Sequence, residues 1–372
     1  AVIGTSAHAL EVGPARFEGW ISGGTISGAF DPNVGSPFAR VEEDRVYLRH
    51  ARLGVRARLP DKWNLRAEWS HDDGVGRWRD VHLSRGFDGM TFTVGQLREP
   101  FGISVLTAVR RVTELERAAF IGAFGLGRRH GVALERHGPA GGWKVGAFWA
   151  DDFEVNYALP TGPQDPLTRA LAGRVYLQPV NTDETLIQIG ASMRMRDAED
   201  GGFAYRARPA IRFGPSVNGT PVLSDRDTLV GLEALYNQGG LMLAGEITRL
   251  ENDGFVIPGG YVRANWFVTP GDKISVRAGV PGAPELARPF GEGGWGGLAL
   301  YGRFEWLDLS DAPAAPGRLA EAQTAVQVGL TWHGSDKINL SLEYSDAELS
   351  SSAMPNAQID AKSLQTRLRL VY

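Results

Sequence analysis

The chain has no cysteine among its 372 residues. That excludes disulfides, thiolate metal ligands and cysteine nucleophiles, and it suits an envelope compartment where a free thiol is a hazard. No run of about 18 apolar residues exists, so the sequence holds no transmembrane helix. Lysine is scarce. Lys62, Lys144, Lys273, Lys337 and Lys362 are the only lysines, and arginine supplies the other basic residues. Arginine offers a planar fork of donors suited to phosphate or carboxylate, although a GC-rich genome would inflate Arg, Ala and Gly together. The formal net charge of −4 is too small for bulk electrostatics to single out a partner, and nothing points to nucleic acid. The opening residues, Ala1 to Leu10, have no basic n-region. The numbering therefore reads as a mature or trimmed chain whose signal peptide is absent.

What is present is alternation. From Arg45 to Asp72 the chain reads RVYLRHARLGVRARLPDKWNLRAEWSHD. Ala51, Leu53, Val55, Ala57 and Leu59 fall on one face of a strand; His50, Arg52, Gly54, Arg56 and Arg58 fall on the other. After the turn at Pro60-Asp61-Lys62, the set Trp63, Leu65, Ala67 and Trp69 opposes Asn64, Arg66, Glu68 and Ser70. One face is apolar and the other carries several charges. A membrane barrel meets both demands, because its apolar face touches lipid and its charged face lines a water-filled lumen.

The pattern recurs along the chain. It predicts an all-β fold, a transmembrane antiparallel β-barrel of about sixteen strands, the even number bacterial barrels require. Short turns follow Leu59, Arg85, Arg136, Gln178, Tyr236 and His333, and long loops fall between them. That asymmetry matches tight periplasmic turns and long outer loops. Residues 1–16 read as an N-terminal arm and 17–372 as the barrel, with 98–128 as a constriction loop. Within that loop, Thr113 to Ala119 predicts a helix, with Thr113 and Glu116 as a capping box. Thr269 to Gly296 is long where a short turn is due and has room for one extra strand at Ile274–Val280. Trp and Tyr near strand ends, among them Trp63, Trp69, Trp149 and Trp266, suit the aromatic girdles of a lipid boundary.

The run YLRHARLGVRARL, the segment from Thr91 to Ala118 and an aromatic-ended last strand together resemble the phosphate-selective porins, the O/P family of outer-membrane proteins. The specific part is G-Q-x-x-x-P-F-G (Gly95, Gln96, Pro100, Phe101, Gly102) followed by L-E-R (Leu115, Glu116, Arg117). The resemblance implies a homotrimer in the bacterial outer membrane, bedded in lipid and lipopolysaccharide, with the third loop folded inward. It implies an arginine ladder leading to a narrow anion site. The paired arginines that open the second strand correspond to Arg49 and His50, a basic loop residue to Arg110, and an acidic residue of the fourth strand to Asp80. The loop ladder maps onto Arg206, Arg208 and Arg212. The sequence departs from the family pattern at His50, at Val105 where a basic residue is expected, and at Ala210 where an arginine is expected.

The chemistry follows from what a permeating anion loses. Shedding water is costly unless fixed donors replace the hydration shell. Arg52, Arg56 and Arg58 on one strand, Arg194 and Arg196 on another, and Arg110 and Arg111 in the loop are the candidates for that role. The solutes expected are inorganic phosphate and related small anions such as pyrophosphate and polyphosphate. Part of this set is expected to brace the barrel instead, against inward acids such as Glu68, Asp72, Glu135, Glu233, Glu246 and Glu305. Arg117 and Glu116 are expected to tie the loop to the wall. By strict alternation Arg49 faces outward, and it reaches the lumen only if a bulge re-aims it. No cofactor and no metal site is expected: the seven histidines are scattered, with no H-E-x-x-H spacing and no nucleophile elbow. A non-selective general-diffusion porin is the first alternative, and a barrel enzyme the second.

Overall fold

A computed structural model describes residues 10–12, 15–34, 43–72, 75–149, 168–199, 201–208, 210, 216, 218–316, 318–319, 321–349 and 359–371. The period-two segments become long strands, because each apolar/polar repeat places its halves on opposite faces. The first eight are β1 Ala15–Val34, β2 Glu43–Arg58, β3 Trp63–Asp72, β4 Val75–Phe87, β5 Met90–Arg98, β6 Arg128–Gly138, β7 Gly141–Trp149 and β8 Thr168–Asn181. The next eight are β9 Thr185–Ala198, β10 Arg226–Gln238, β11 Leu241–Asn252, β12 Phe255–Phe267, β13 Gly297–Asp308, β14 Ala322–His333, β15 Ile338–Leu349 and β16 Ile359–Val371. Each pairs antiparallel with its neighbours in chain order. The last then pairs with the first, from Ser22↔Val371 to Val34↔Ile359. The pairings run in a ring, so none of these strands is left as an edge. Within the expected arm, Leu10–Val12 folds back onto the start of β1.

The faces divide as the alternation predicts. Leu171, Val175 and Leu177 on β8, Met193 and Met195 on β9, and Val326 and Val328 on β14 are exposed. Gln188, Arg194, Gln327 and Glu343 are buried inside. An apolar exterior around a polar interior is the arrangement of a barrel that spans a membrane.

Among the described residues the wall has three register shifts, and two of them re-aim charged side chains. On β2, Gly24 pairs with His50 and Thr25 with Leu48, which leaves Arg49 as the extra residue. Val46 and Leu48 point out before it, and Leu53 and Val55 after it. Arg49 and His50 therefore both turn inward. On β4, Val81 pairs with Ala67 and Trp78 with Trp69, so Arg79 and Asp80 both face in and are buried.

Three segments fill part of the lumen. The connection from β5 to β6 carries helical turns at Ile103–Leu106, Val109–Arg111 and Ala119–Ala123. The helix expected over Thr113–Ala119 does not form, because wall side chains take its polar groups: Asn265 donates to Thr113 Oγ1 at 2.8 Å and Glu116 turns to Arg49. The second segment comes from the short-turn end, where Thr269–Gly296 holds a hairpin of Lys273–Arg277 and Val280–Glu285 in place of a single strand. Its tip crosses the lumen, and Gly279 O accepts from Arg174 at 2.7 Å and Gln188 at 3.0 Å. The third segment follows β9: Phe203, Tyr205 and Ala207 pack on the β5–β6 loop.

The two larger apolar clusters hold most of these pieces. One joins Phe101, Phe120 and Phe124 of the loop to Leu229, Leu250 and Leu307 of the wall. The other seats Ile103 and the hairpin's Ile274 among Leu235, Met242 and Phe267. Among the described residues, both clusters draw their wall members from β9–β13 and the residues just after it. Most of this packing is therefore on that side, while Ala210 of the third segment packs with Ala325, Ala347 and Ala361 of β14–β16. Ile274→Ala is expected to cost about 2–4 kcal/mol in urea unfolding of the detergent-solubilised barrel; a loss too small to measure would mean the hairpin is not seated.

Candidate functional site

The site begins with how the β5–β6 loop is held. Its backbone lies away from any sheet, so its amides and carbonyls need other partners. Carboxylates of the wall take the amides: Glu246 accepts from Ser104 N at 2.6 Å, Glu343 from Leu115 N at 2.9 Å, and Glu305 from Ala119 N at 3.3 Å. Arginines take the carbonyls. Arg98 donates to Val105, Leu106 and Thr107 O at 3.1, 2.8 and 2.8 Å. Arg117 donates to Thr107 O at 2.7 Å, Arg367 to Leu115 O at 3.1 Å, and Arg369 to Arg110 O at 2.5 Å.

This accounts for the P-F-G and L-E-R residues. Gly102 has φ +59°, and a Cβ there would lie 1.9 Å from Glu246 Oε2. Only glycine lets that carboxylate reach Ser104. Phe101 packs over Gly231, where a Cβ would meet its ring at 2.8 Å. Leu115 is buried, Glu116 accepts from Arg49 Nε at 2.8 Å and from its terminal nitrogen at 3.0 Å, and Arg117 closes the loop on itself. Glu116 thus ties the loop to the wall, whereas Arg117 acts within the loop.

The open half of the lumen is basic. Along β2 to β6 a chain of charges runs Arg52–Glu68–Arg66–Asp80–Arg128, at 3.1, 3.1, 2.9 and 2.5 Å. Among the described residues, three cations and two anions make up this chain. Arg79 pairs with Asp72 beside it. His50 is buried within electrostatic reach of Arg49, Arg52, Arg367 and Arg369. Arg56 and Arg58 are exposed nearer the short-turn end.

Below the loop, Arg110 and Arg111 meet Arg367 and Arg369 around a pocket of roughly 590 Å³ open to solvent. Burial lowers the pKa of both loop guanidiniums from the ordinary value, and the Arg111 cation lowers that of Arg110 further.

The remaining candidates lie elsewhere. Arg194 is fully buried between Glu99 at 3.5 Å, Asp227 at 3.8 Å and Phe124 O at 2.7 Å. Arg196 grips Asp227 with two nitrogens and lies 3.9 Å from the Phe203 ring. Both terminal nitrogens of Arg194, and Nε with one terminal nitrogen of Arg196, face protein groups, while Arg194 Nε has no partner among the described residues. Tyr205 donates to the same Asp227 at 2.9 Å, and burial holds its phenol above the ordinary pKa, so it stays a donor. Arg206 pairs with Gly219 in a short ladder beside Arg318, and Arg208 O accepts from Gln323 at 2.8 Å. Arg212 lies outside the described residues. Four site-lining residues were not among the sequence candidates: Arg66, Arg128, Arg367 and Arg369. Arg66, Arg367 and Arg369 carried a signal, since each occupies the inward phase of its strand.

The comparisons with known proteins agree with this architecture. A family model described as phosphate-selective porin O and P matches residues 30–372. An uncharacterized protein of Caulobacter vibrioides is 30% identical over 315 residues, covering 80% of this chain and 62% of that protein. The chain thus spans less than two thirds of that relative's length. Among solved structures, Pseudomonas putida OprB aligns with a TM-score of 0.61 at 9% identity, covering 96% of this chain and 94% of that one. The trimer form of OmpT, an outer membrane protein of Vibrio cholerae, aligns at 0.54 and 11%, covering 96% and 99%. An anion-selective porin from Comamonas acidovorans aligns at 0.52 and 11%, covering 96% and 100%.

The pinning of the loop can be measured. A double-mutant cycle with Arg49→Ala and Glu116→Ala is expected to show a coupling of about 1–3 kcal/mol in barrel unfolding. Additive losses would mean the pair does not form. Gly102→Ala is expected to displace Glu246 from Ser104 and to make the loop accessible to protease in the otherwise folded barrel; protection equal to wild type would refute that.

Proposed function

Because the chain belongs to the phosphate-selective porin O and P family, we propose that this outer-membrane porin carries small anions, phosphate and its relatives first, along the arginine-lined half of its lumen. The observation that carries the reading is a division of labour among charges. On the packed side, arginines such as Arg194, Arg196 and Arg174 are matched by Glu99, Asp227 and Glu233. Among the described residues of the open side, guanidiniums outnumber carboxylates, and Arg56, Arg58, Arg110 and Arg111 retain exposure. A solute that must shed water passes where donors outnumber acceptors. Guanidiniums keep their charge in such a place. Several spaced stations release an anion more readily than one deep site.

On this reading Arg52, Arg56, Arg58, Arg110 and Arg111 meet the anion, while Arg49, Arg194 and Arg196 brace. His50 and Asp80 set the local field. The outward apolar faces suit lipid, and the long loops suit lipopolysaccharide. The trimeric neighbour and the family support a homotrimer.

A general-diffusion porin is the second reading, and two residues favour it. Val105 is buried in the loop's apolar cluster, and Ala210 is buried too, so neither offers the donor that the family pattern has there.

Reversal potentials across a KCl gradient separate the readings. The wild type is expected to prefer chloride, and Arg56→Glu with Arg58→Glu to cut that preference about tenfold or more, as two reversed charges at a narrow site would. A cation preference in the wild type would refute the proposal.

A further inference from the structure

We infer that the pocket between the β5–β6 loop, the Lys273–Glu285 hairpin and β14–β16 is a binding station for an oxyanion that carries an apolar group, such as a phosphate monoester or an aromatic carboxylate. The inference rests on the anion-path reading and adds a second site to it, on the short-turn side of the loop.

The first support is unmet hydrogen bonding. Arg367 and Arg369 are each 3% exposed. Arg369 spends one terminal nitrogen on Arg110 O, yet its Nε and its other terminal nitrogen have no partner among the described residues. Arg367 Nε is in the same state, and so are His333 Nδ1 and Asn339 Oδ1, which also belong to pocket-lining residues. Buried donors left unpaired on cations are costly, and at a solvent-open pocket water or a bound anion fills them.

The second support is charge. Four guanidiniums line the pocket, from Arg110, Arg111, Arg367 and Arg369, against the one carboxylate of Asp336. Arg277 of the hairpin adds its field at Arg111. Gathering like charges costs energy that a bound dianion returns.

The third support is the rest of the lining. Val112, Ile274, Pro284 and Val371 supply apolar surface beside the guanidiniums. Ile274 and Pro284 belong to the hairpin, so without it the arginines would face open water. That apolar lining beside the guanidiniums suits an anion with a small organic body better than a bare, fully hydrated one. The loop carbonyls fix Arg367 and Arg369 in place, so their remaining donors are preorganised.

The test uses the full chain inserted with known orientation in a planar bilayer, with inorganic phosphate and phenyl phosphate as probes. Phenyl phosphate added at the short-turn side is expected to block chloride current at a concentration about tenfold below that of inorganic phosphate, and below its own value from the other side. Arg111→Gln and Arg369→Gln are each expected to raise that concentration about tenfold, the loss for one charge-assisted contact. The side chain of Arg111 does not pin the loop, so this variant carries the test if Arg369→Gln fails to fold. Equal block by both probes, equal block from both sides, or unchanged block in Arg111→Gln would overturn the pocket. The reversal potential in the same membrane reports on the anion path separately: a chloride-preferring channel without sided block loses only the pocket, and a cation-preferring channel loses both.

Discussion

The structure depends on hydrogen bonds from wall side chains to the backbone of a loop that has no sheet to join. A strand ring satisfies its own amides and carbonyls. A segment folded into its lumen cannot, and a bare loop there would hold its peptide groups out to water and wander. Glu246, Glu343 and Glu305 take the amides; Arg98, Arg367 and Arg369 take the carbonyls. Hydrogen bonds to charged groups are the stronger kind, and each is anchored in a rigid strand. The loop is thereby fixed at both its polar edges, while Phe101, Phe120 and Phe124 fix its apolar side. Without that anchoring, Arg110 and Arg111 would have no defined position in the lumen.

The same anchoring makes the lumen lopsided. Apolar packing and the hairpin fill the side of β9–β13, and the acids there are paired or spent on the loop. The less packed remainder runs past β14–β16 and β2–β4, where arginine prevails among the described residues. Selectivity of this kind needs no acid-free sequence and no strongly basic protein. The proposed path needs only that carboxylates on the packed side are engaged by arginines and by the loop, a local arrangement that a chain of net charge −4 can hold.

The alternation from Arg45 to Asp72 was enough to place Arg52, Arg56 and Arg58 on the inner face, since period two admits one division of faces. It was not enough for Arg49. Two polar residues in a row, Arg49 and His50, fit either a phase error or a bulge, and the register with β1 decides for the bulge. The capping pattern at Thr113 and Glu116 misled for a related reason. Local propensity weighs neighbours in the chain, whereas Asn265 and Arg49, far away in sequence, offered those side chains better partners. Arg194 and Arg196 were placed on the correct face. That Glu99 and Asp227 would pair with them could not be read from spacing.

The sequence by itself determined the sheet, the count of about sixteen strands, the outward apolar belt, and which connections would be long. These follow from local period and turn chemistry, which act within a few residues. Only the tertiary structure decided which half of the lumen stays open, which arginines are matched, and that a hairpin from the short-turn end would meet the loop from the other end. Those outcomes turn on contacts between residues a hundred or more positions apart, such as Arg174 with Gly279 and Glu343 with Leu115, and nothing local encodes who meets whom inside a closed ring.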